Sequence, residues 1–216
     1  MRPIPKTKGG EAYAAIKAKI IEGRLEPGRD VSEDWLEKEL GLGRTPVREA
    51  CKRLAEEGFL QIYPSKGMIV SDITADLIRD IYQMRILNEP FIVQQACRLA
   101  DNVDWLLDLR RKILEPPQSP DERTLRHYYI ALDRELHDQF LKGCRNRFLL
   151  ASMQNVLDHN HRIRIKVSRP YDPADRSIRE HLDIIEAFLS RDEEAVGRRV
   201  AEHVEESRKI TFAYFL

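Results

Sequence analysis

Along the first third of the chain, apolar positions recur in short helical bursts; beyond it the pattern becomes almost unbroken helix. From Glu11 to Glu22, Tyr13, Ile16, Ile20 and Ile21 share one face of a helix that Gly23 ends. Leu25-Glu26-Pro27-Gly28 reads as a turn. Ser32 is placed to cap a second helix whose Trp35, Leu36 and Leu40 face inward and which Gly41 closes. In a third, Val47, Cys51 and Leu54 recur at helical spacing with Ala50 beside them, Pro46 suits the first turn, and Gly58 permits a left-handed stop. Phe59 to Tyr63 and Met68 to Ser71 then read as strands about a turn from Pro64 to Gly67. Three helices followed by a hairpin make a winged helix-turn-helix.

After Val70 the helical period takes over. It predicts helices over Thr74 to Leu99 with a kink at Pro90, Asn102 to Leu114, Asp121 to Lys142, Asn146 to Val167, Pro173 to Ser190 and Asp192 to Tyr214. The expected fold is therefore mainly α: an N-terminal winged helix-turn-helix plus a C-terminal antiparallel all-helical bundle of about six helices. Residues 1–72 form the expected DNA-binding domain, with residues 1–9 as a flexible arm. Residues 73–216 form the expected helical domain.

Composition changes this picture in one respect. Lys+Arg and Asp+Glu are both 36, so any binding of nucleic acid must come from local placement and not from net charge. Residues 1–72 are themselves almost neutral. The local concentration is Arg44, Arg48, Lys52 and Arg53 against Glu49. Cys51, Cys97 and Cys144 are odd in number and widely spaced, which points to reduced thiols filling a core. With neither a signal peptide nor an apolar run of membrane length in the sequence, a cytoplasmic protein without membrane contact is expected.

Two constellations carry candidate chemistry. Arg44, Arg48 and Lys52 lie at i, i+4, i+8 on the third helix, where like charges repel unless the face meets a polyanion. A solvated charged face has the same spacing. On a later helix Asp133 and His137 lie at i, i+4 and share a face, while His181 and His203 each follow a glutamate on the last two helices. Three imidazoles and a carboxylate suit zinc first, then nickel, manganese or iron as divalent ions. Spacing alone leaves histidines satisfied within a core as the alternative.

The run Gly43 to Leu60, GRTPVREACKRLAEEGFL, followed by a Pro-x-x-Gly turn, resembles the winged-helix domain of GntR-type bacterial transcription regulators, in their FadR-like branch with an FCD effector domain. Asp133-x-x-x-His137, the turn Gly143-Cys144-Arg145-Asn146, Glu180-His181 and His203 are similar to the metal-binding pattern of FCD domains. The resemblance runs from about Glu11 to Phe212. It implies that Arg44 and Arg48 contact DNA, with Thr45 on a phosphate and Lys66 with Gly67 near the minor groove; Lys52 extends the same stripe. It also implies a divalent metal held by Asp133, His137, His181 and His203. Arg85 stands where the family often has an arginine near the effector cavity; a salt bridge to Glu89 is the alternative.

The function so implied is a homodimeric regulator, as a repressor, of a pseudo-palindromic double-stranded operator, controlled by a small carboxylate bound beside the metal. Alternatives are a metalloenzyme or a dedicated metal sensor using the same Asp/His site. Two positions depart from the family. Gly43 replaces the usual serine, which weakens the helix cap, and Asp34 lies near a position where some members carry an arginine.

Overall fold

The computed structural model describes residues 7–63, 67–118, 121–167 and 176–215. It divides into two compact units, residues 2–74 and 75–216. In the first, α1 (Lys8–Ile21), α2 (Glu33–Leu40) and α3 (Arg44–Glu56) are accompanied by a three-stranded antiparallel sheet. Its strands are β1 (Asp30–Val31), β2 (Leu60–Tyr63) and β3 (Gly67–Val70), in the order β1-β3-β2. The arm expected over residues 1–9 does not extend to Lys8 and Gly9, which are helical: Thr7 accepts a hydrogen bond from the Gly10 amide at 3.1 Å and caps α1. Residues 1–6 lie outside the described residues, as does the turn residue Lys66.

The core of this unit is the predicted one. Ile16, Ile20, Leu36, Val47 and Leu54 from the three helices are clustered with Phe59, just before β2, and with Met68 and Val70 from the sheet. Ser32 caps α2 by accepting from the Trp35 amide, and Gly41 closes it at φ 65°, a conformation open to glycine at little cost. Strand β1 escaped the sequence pattern. Two residues are too few to show alternation, and Val31 pairs with Met68 only because the chain returns there.

Among the described residues the second unit has six helices: α4 (Ala75–Leu99), α5 (Asp104–Leu114), α6 (Glu122–Lys142), α7 (Arg147–Lys166), α8 (Arg176–Leu189) and α9 (Glu193–Phe215). α4 runs along α9 and also packs on α6 and α7, while α8 folds back on α9. Pro90 lies inside α4, which stays helical through it, with Ile92 and Val93 buried beyond. The turn between α8 and α9 is tight: Arg191 takes φ 59° and donates to the carbonyls of Cys97 (2.6 Å) and Ala100 (2.7 Å), binding the turn to the end of α4. Among the described residues, no helix is long and apolar enough to cross a membrane.

Candidate nucleic-acid interface and metal centre

In the first unit, α3 turns Val47, Ala50, Cys51 and Leu54 into the core, which leaves Arg44, Thr45, Arg48 and Lys52 exposed along its outer side. The N-cap Gly43 has no side-chain hydrogen bond to the helix, so the amides of the first turn open toward solvent, where an anion is favoured. Gly67 begins β3 at φ 99°.

The cations are not simply solvated. Arg48 places Nε 3.1 Å from Glu33 Oε1 and Nη2 3.0 Å from Glu33 Oε2, a forked pair. Arg44 approaches Glu33 at 3.5 Å, Asp34 at 3.7 Å and Glu37 at 4.0 Å. Glu33, the first residue of α2, was not singled out by the sequence. Its approach depends on the angle at which α2 crosses α3, which no local pattern records. The Cys51 thiol, behind the same helix, is pushed up to about 12 by burial and is core filling.

In the second unit the structure brings together all four residues of the other constellation. Asp133 and His137 project from one face of α6 as their i, i+4 spacing requires. His181 and His203 stand at nearly equal distances on either side of Arg191, so folding α8 back on α9 sets them side by side, with Nε2 atoms 3.3 Å apart. One ligand atom from each of the four residues falls within a set 4.8 Å across, and all four residues are buried.

The tautomers follow from the neighbours. His137 Nδ1 lies 2.7 Å from Glu89 Oε2 and His203 Nδ1 lies 2.9 Å from Glu180 Oε2, so both Nδ1 atoms donate and both Nε2 atoms carry lone pairs. These Nε2 atoms are each 3.9 Å from Asp133 Oδ1, and His181 Nε2 is 3.2 Å away. Despite that short distance, Asp133 Oδ1 accepts no well-aimed hydrogen bond from the described residues. The lone pairs of His137 and His203 thus converge on a buried carboxylate oxygen whose neighbours, His181 at 3.2 Å and Arg164 at 3.4 Å, do not make well-aimed hydrogen bonds to it; a cation among these donors would satisfy them together. The four residues therefore fit a metal ion.

The electrostatics agree. Burial opposes ionisation of Asp133, but Arg164, at 3.4 Å, and the neighbouring imidazoles hold its carboxyl well below the usual range. Burial lowers His181 and lowers His203 further, so both imidazoles are neutral near pH 7 and ready to ligate. Glu89, also buried, is drawn down to about 2 by Arg85 and His137. Arg85 is fully buried; it pairs with Glu89, donates to Asn160 Oδ1 at 2.9 Å and comes within 3.3 Å of His137 Nε2.

A cavity of about 70 Å³ opens beside His181 and His203, lined in part by Arg126, Tyr129, Arg164, Glu180 and Ser207. Arg85 borders the Asp/His cluster and is not among the residues lining this cavity. Of the other histidines, His159 is buried and His161 half-buried on α7, and neither lines the cavity; His127 is exposed.

His161 gives a pH prediction for the metal-free protein. Burial brings its pKa down from 6.5 to about 4, and His181 and His203 shift the same way. The unfolded chain therefore binds more protons than the folded one below pH 6.5, and stability falls as the pH drops from there toward about 4. For His161 alone the loss has an upper bound of about 3 kcal/mol. Urea midpoints measured from pH 7.5 to 5 are expected to decline; midpoints that hold level would contradict the neutral, buried state of these rings.

The FCD domain family matches residues 80–206, and the family described as bacterial regulatory proteins, gntR family, matches residues 8–70. The chain is 28% identical over 191 residues to the uncharacterised HTH-type transcriptional regulator YdhC of Bacillus subtilis, spanning 88% of this chain and 85% of that one. It is 25% identical over 201 residues to the HTH-type transcriptional repressor RspR of Escherichia coli, spanning 91% and 85%. Among solved structures, E. coli McbR/YncC superposes with a TM-score of 0.80 at 18% identity, covering 97% of this chain and 99% of that one, which shows the shared fold. Both families are families of transcription regulators and not of enzymes, which sets the metalloenzyme reading aside. With a gntR-type winged helix followed by an FCD domain over more than half its length, the chain belongs to the FCD-containing branch of the gntR family of bacterial transcriptional regulators.

Proposed function

We propose that this regulator is a repressor whose operator affinity is set by a small organic acid bound beside a divalent metal. Two copies, as a homodimer, would place α3 of each winged helix in successive major grooves of a pseudo-palindromic operator, about one helical turn apart. Arg44, Arg48 and Lys52 would face the DNA there, with Thr45 on a phosphate and Lys66 and Gly67 toward the minor groove. In the second unit Asp133, His137, His181 and His203 would hold the metal. Zinc fits first because three imidazoles and one carboxylate make a four-donor N/O set, with nickel, manganese or iron also accepted.

The observation that carries the effector reading is charge. Around the cluster the carboxylates of Asp133, Glu89 and Glu180 are met by Arg85, Arg164 and the more exposed Arg176. With Glu206, which shares Arg176, the balance lies between zero and minus one before any metal is counted. A bound dication, with its imidazole ligands neutral, turns the site net positive, and Arg126 at the cavity adds to that. A half-buried positive cavity favours an anion. Its volume suits an anion of few atoms, since a water needs ~15 Å³ by the same measure. Arg126 and Arg164 line that cavity and are the carboxylate handles; Arg85 supports the site through Glu89 and His137.

The test is operator binding by chelated and zinc-reloaded protein, on a duplex selected from a randomised pool by the wild-type protein. A panel of small mono- and dicarboxylates is expected to change affinity only after zinc loading. No response to any acid refutes the effector reading, and a change produced by zinc alone favours the metal-sensor alternative.

A further inference from the structure

We infer that Glu33 is a specificity-determining residue: it holds the Arg48 guanidinium so that its outer edge is presented for base reading while denying it to phosphates. This rests on α3 being the DNA-reading helix and adds a residue from α2 to that surface.

The pair is forked. Arg48 spends Nε and one hydrogen of Nη2 on the Glu33 carboxylate, with contacts of 3.1, 3.2 and 3.0 Å. The hydrogens on Nη1 and the second hydrogen on Nη2 are not committed to Glu33. Those groups form the end-on edge of a guanidinium, the edge suited to the paired acceptors O6 and N7 of guanine in the major groove. A guanidinium held in this way enters the groove with its orientation already set, which reduces the side-chain entropy lost on docking.

The same carboxylate has an opposite effect on sequence-independent binding. Arg44 is drawn toward Glu33, Asp34 and Glu37, so the N-terminal half of the α3 cation stripe faces α2 carboxylates instead of standing free. Only farther along, at Lys52, do the described residues place no carboxylate in ion-pair range. A phosphate must compete with those acids, and their charge repels the DNA backbone. Glu33 thus lowers affinity for any sequence and raises discrimination among sequences.

Stability does not account for the arrangement. Arg48 is 51% exposed and Glu33 24%, so solvent screens the pair and it contributes little to folding. The cap of α2 is made by Ser32, independently of Glu33.

The experiment compares wild type, Glu33→Gln, Arg48→Ala and the double variant, each in the full chain, on the duplex selected from a randomised pool by wild type and on a scrambled duplex, over a salt series. Thermal midpoints establish that each variant is folded. For Glu33→Gln, affinity for the scrambled duplex is expected to rise severalfold, the salt slope to steepen by about one, and the selected-to-scrambled ratio to fall about tenfold. In the Arg48→Ala background the same change should leave the ratio unmoved. A Glu33→Gln protein with wild-type ratio overturns the proposal while leaving DNA reading by α3 intact. So does a ratio loss that persists without Arg48. If wild type selects no sequence, or Arg48→Ala binds like wild type, the underlying DNA reading fails and the proposal with it.

Discussion

Replacing Arg48 by alanine is expected to lower affinity for the selected duplex by about 10- to 100-fold, the cost of one lost bidentate base contact. The expectation is strong here for a reason of charge. The chain carries 36 basic and 36 acidic residues, so no diffuse field compensates for a missing contact. Arg44→Ala should instead weaken binding to all sequences and reduce the salt slope by about one if it meets a phosphate. Both side chains are more than half exposed, so neither change should unfold the domain. Fluorescence anisotropy over a salt series checks both, and unchanged affinity in the two variants would remove α3 from the DNA surface.

The second large effect is at Asp133. With zinc at 100 times its dissociation constant, wild type should gain ~2.7 kcal/mol, or a rise in Tm of roughly 5–10 °C for a chain of this size. Asp133→Ala should show no such rise, because the oxygen on which three imidazoles converge is gone. The metal-free variant is itself weakened, since Arg164 loses a buried partner; the readout is therefore the zinc-dependent part of Tm. Asp133→Asn keeps the shape, removes the charge and should also lose most of the rise. His127→Ala, which changes an exposed ring remote in role, should keep it whole. A full zinc response in Asp133→Ala would place the metal elsewhere.

The stripe Arg44, Arg48, Lys52 and the pair Asp133, His137 are facts of helical period and were legible as soon as a helix was assigned. That His181 and His203 join the pair was legible only through family resemblance, because a separation of 22 positions fixes no distance until a turn folds the chain back. Glu89, which orients His137, was visible only as a possible partner for Arg85. It serves both, holding the guanidinium on one side and the imidazole Nδ1 on the other. Arg126 and Arg164, at the cavity, carried no signal beyond helical positions on α6 and α7.

The amino-acid order by itself determined the elements apart from β1: apolar stripes at helical spacing, Ser32 and Gly41 bounding α2, Pro46 and Gly58 marking the ends of α3, and the succession of a winged helix and six helices. Those are local preferences, settled within a few residues by backbone sterics and by which face must leave water. The tertiary structure alone decided what each charged side chain meets. It set α2 against α3 so that Glu33 grips Arg48, and it closed α8 on α9 so that two imidazoles face one carboxylate. The reason is range: ion pairs and metal donors act across 3 to 4 Å between residues far apart in sequence, and only packing of the apolar faces brings those residues that close.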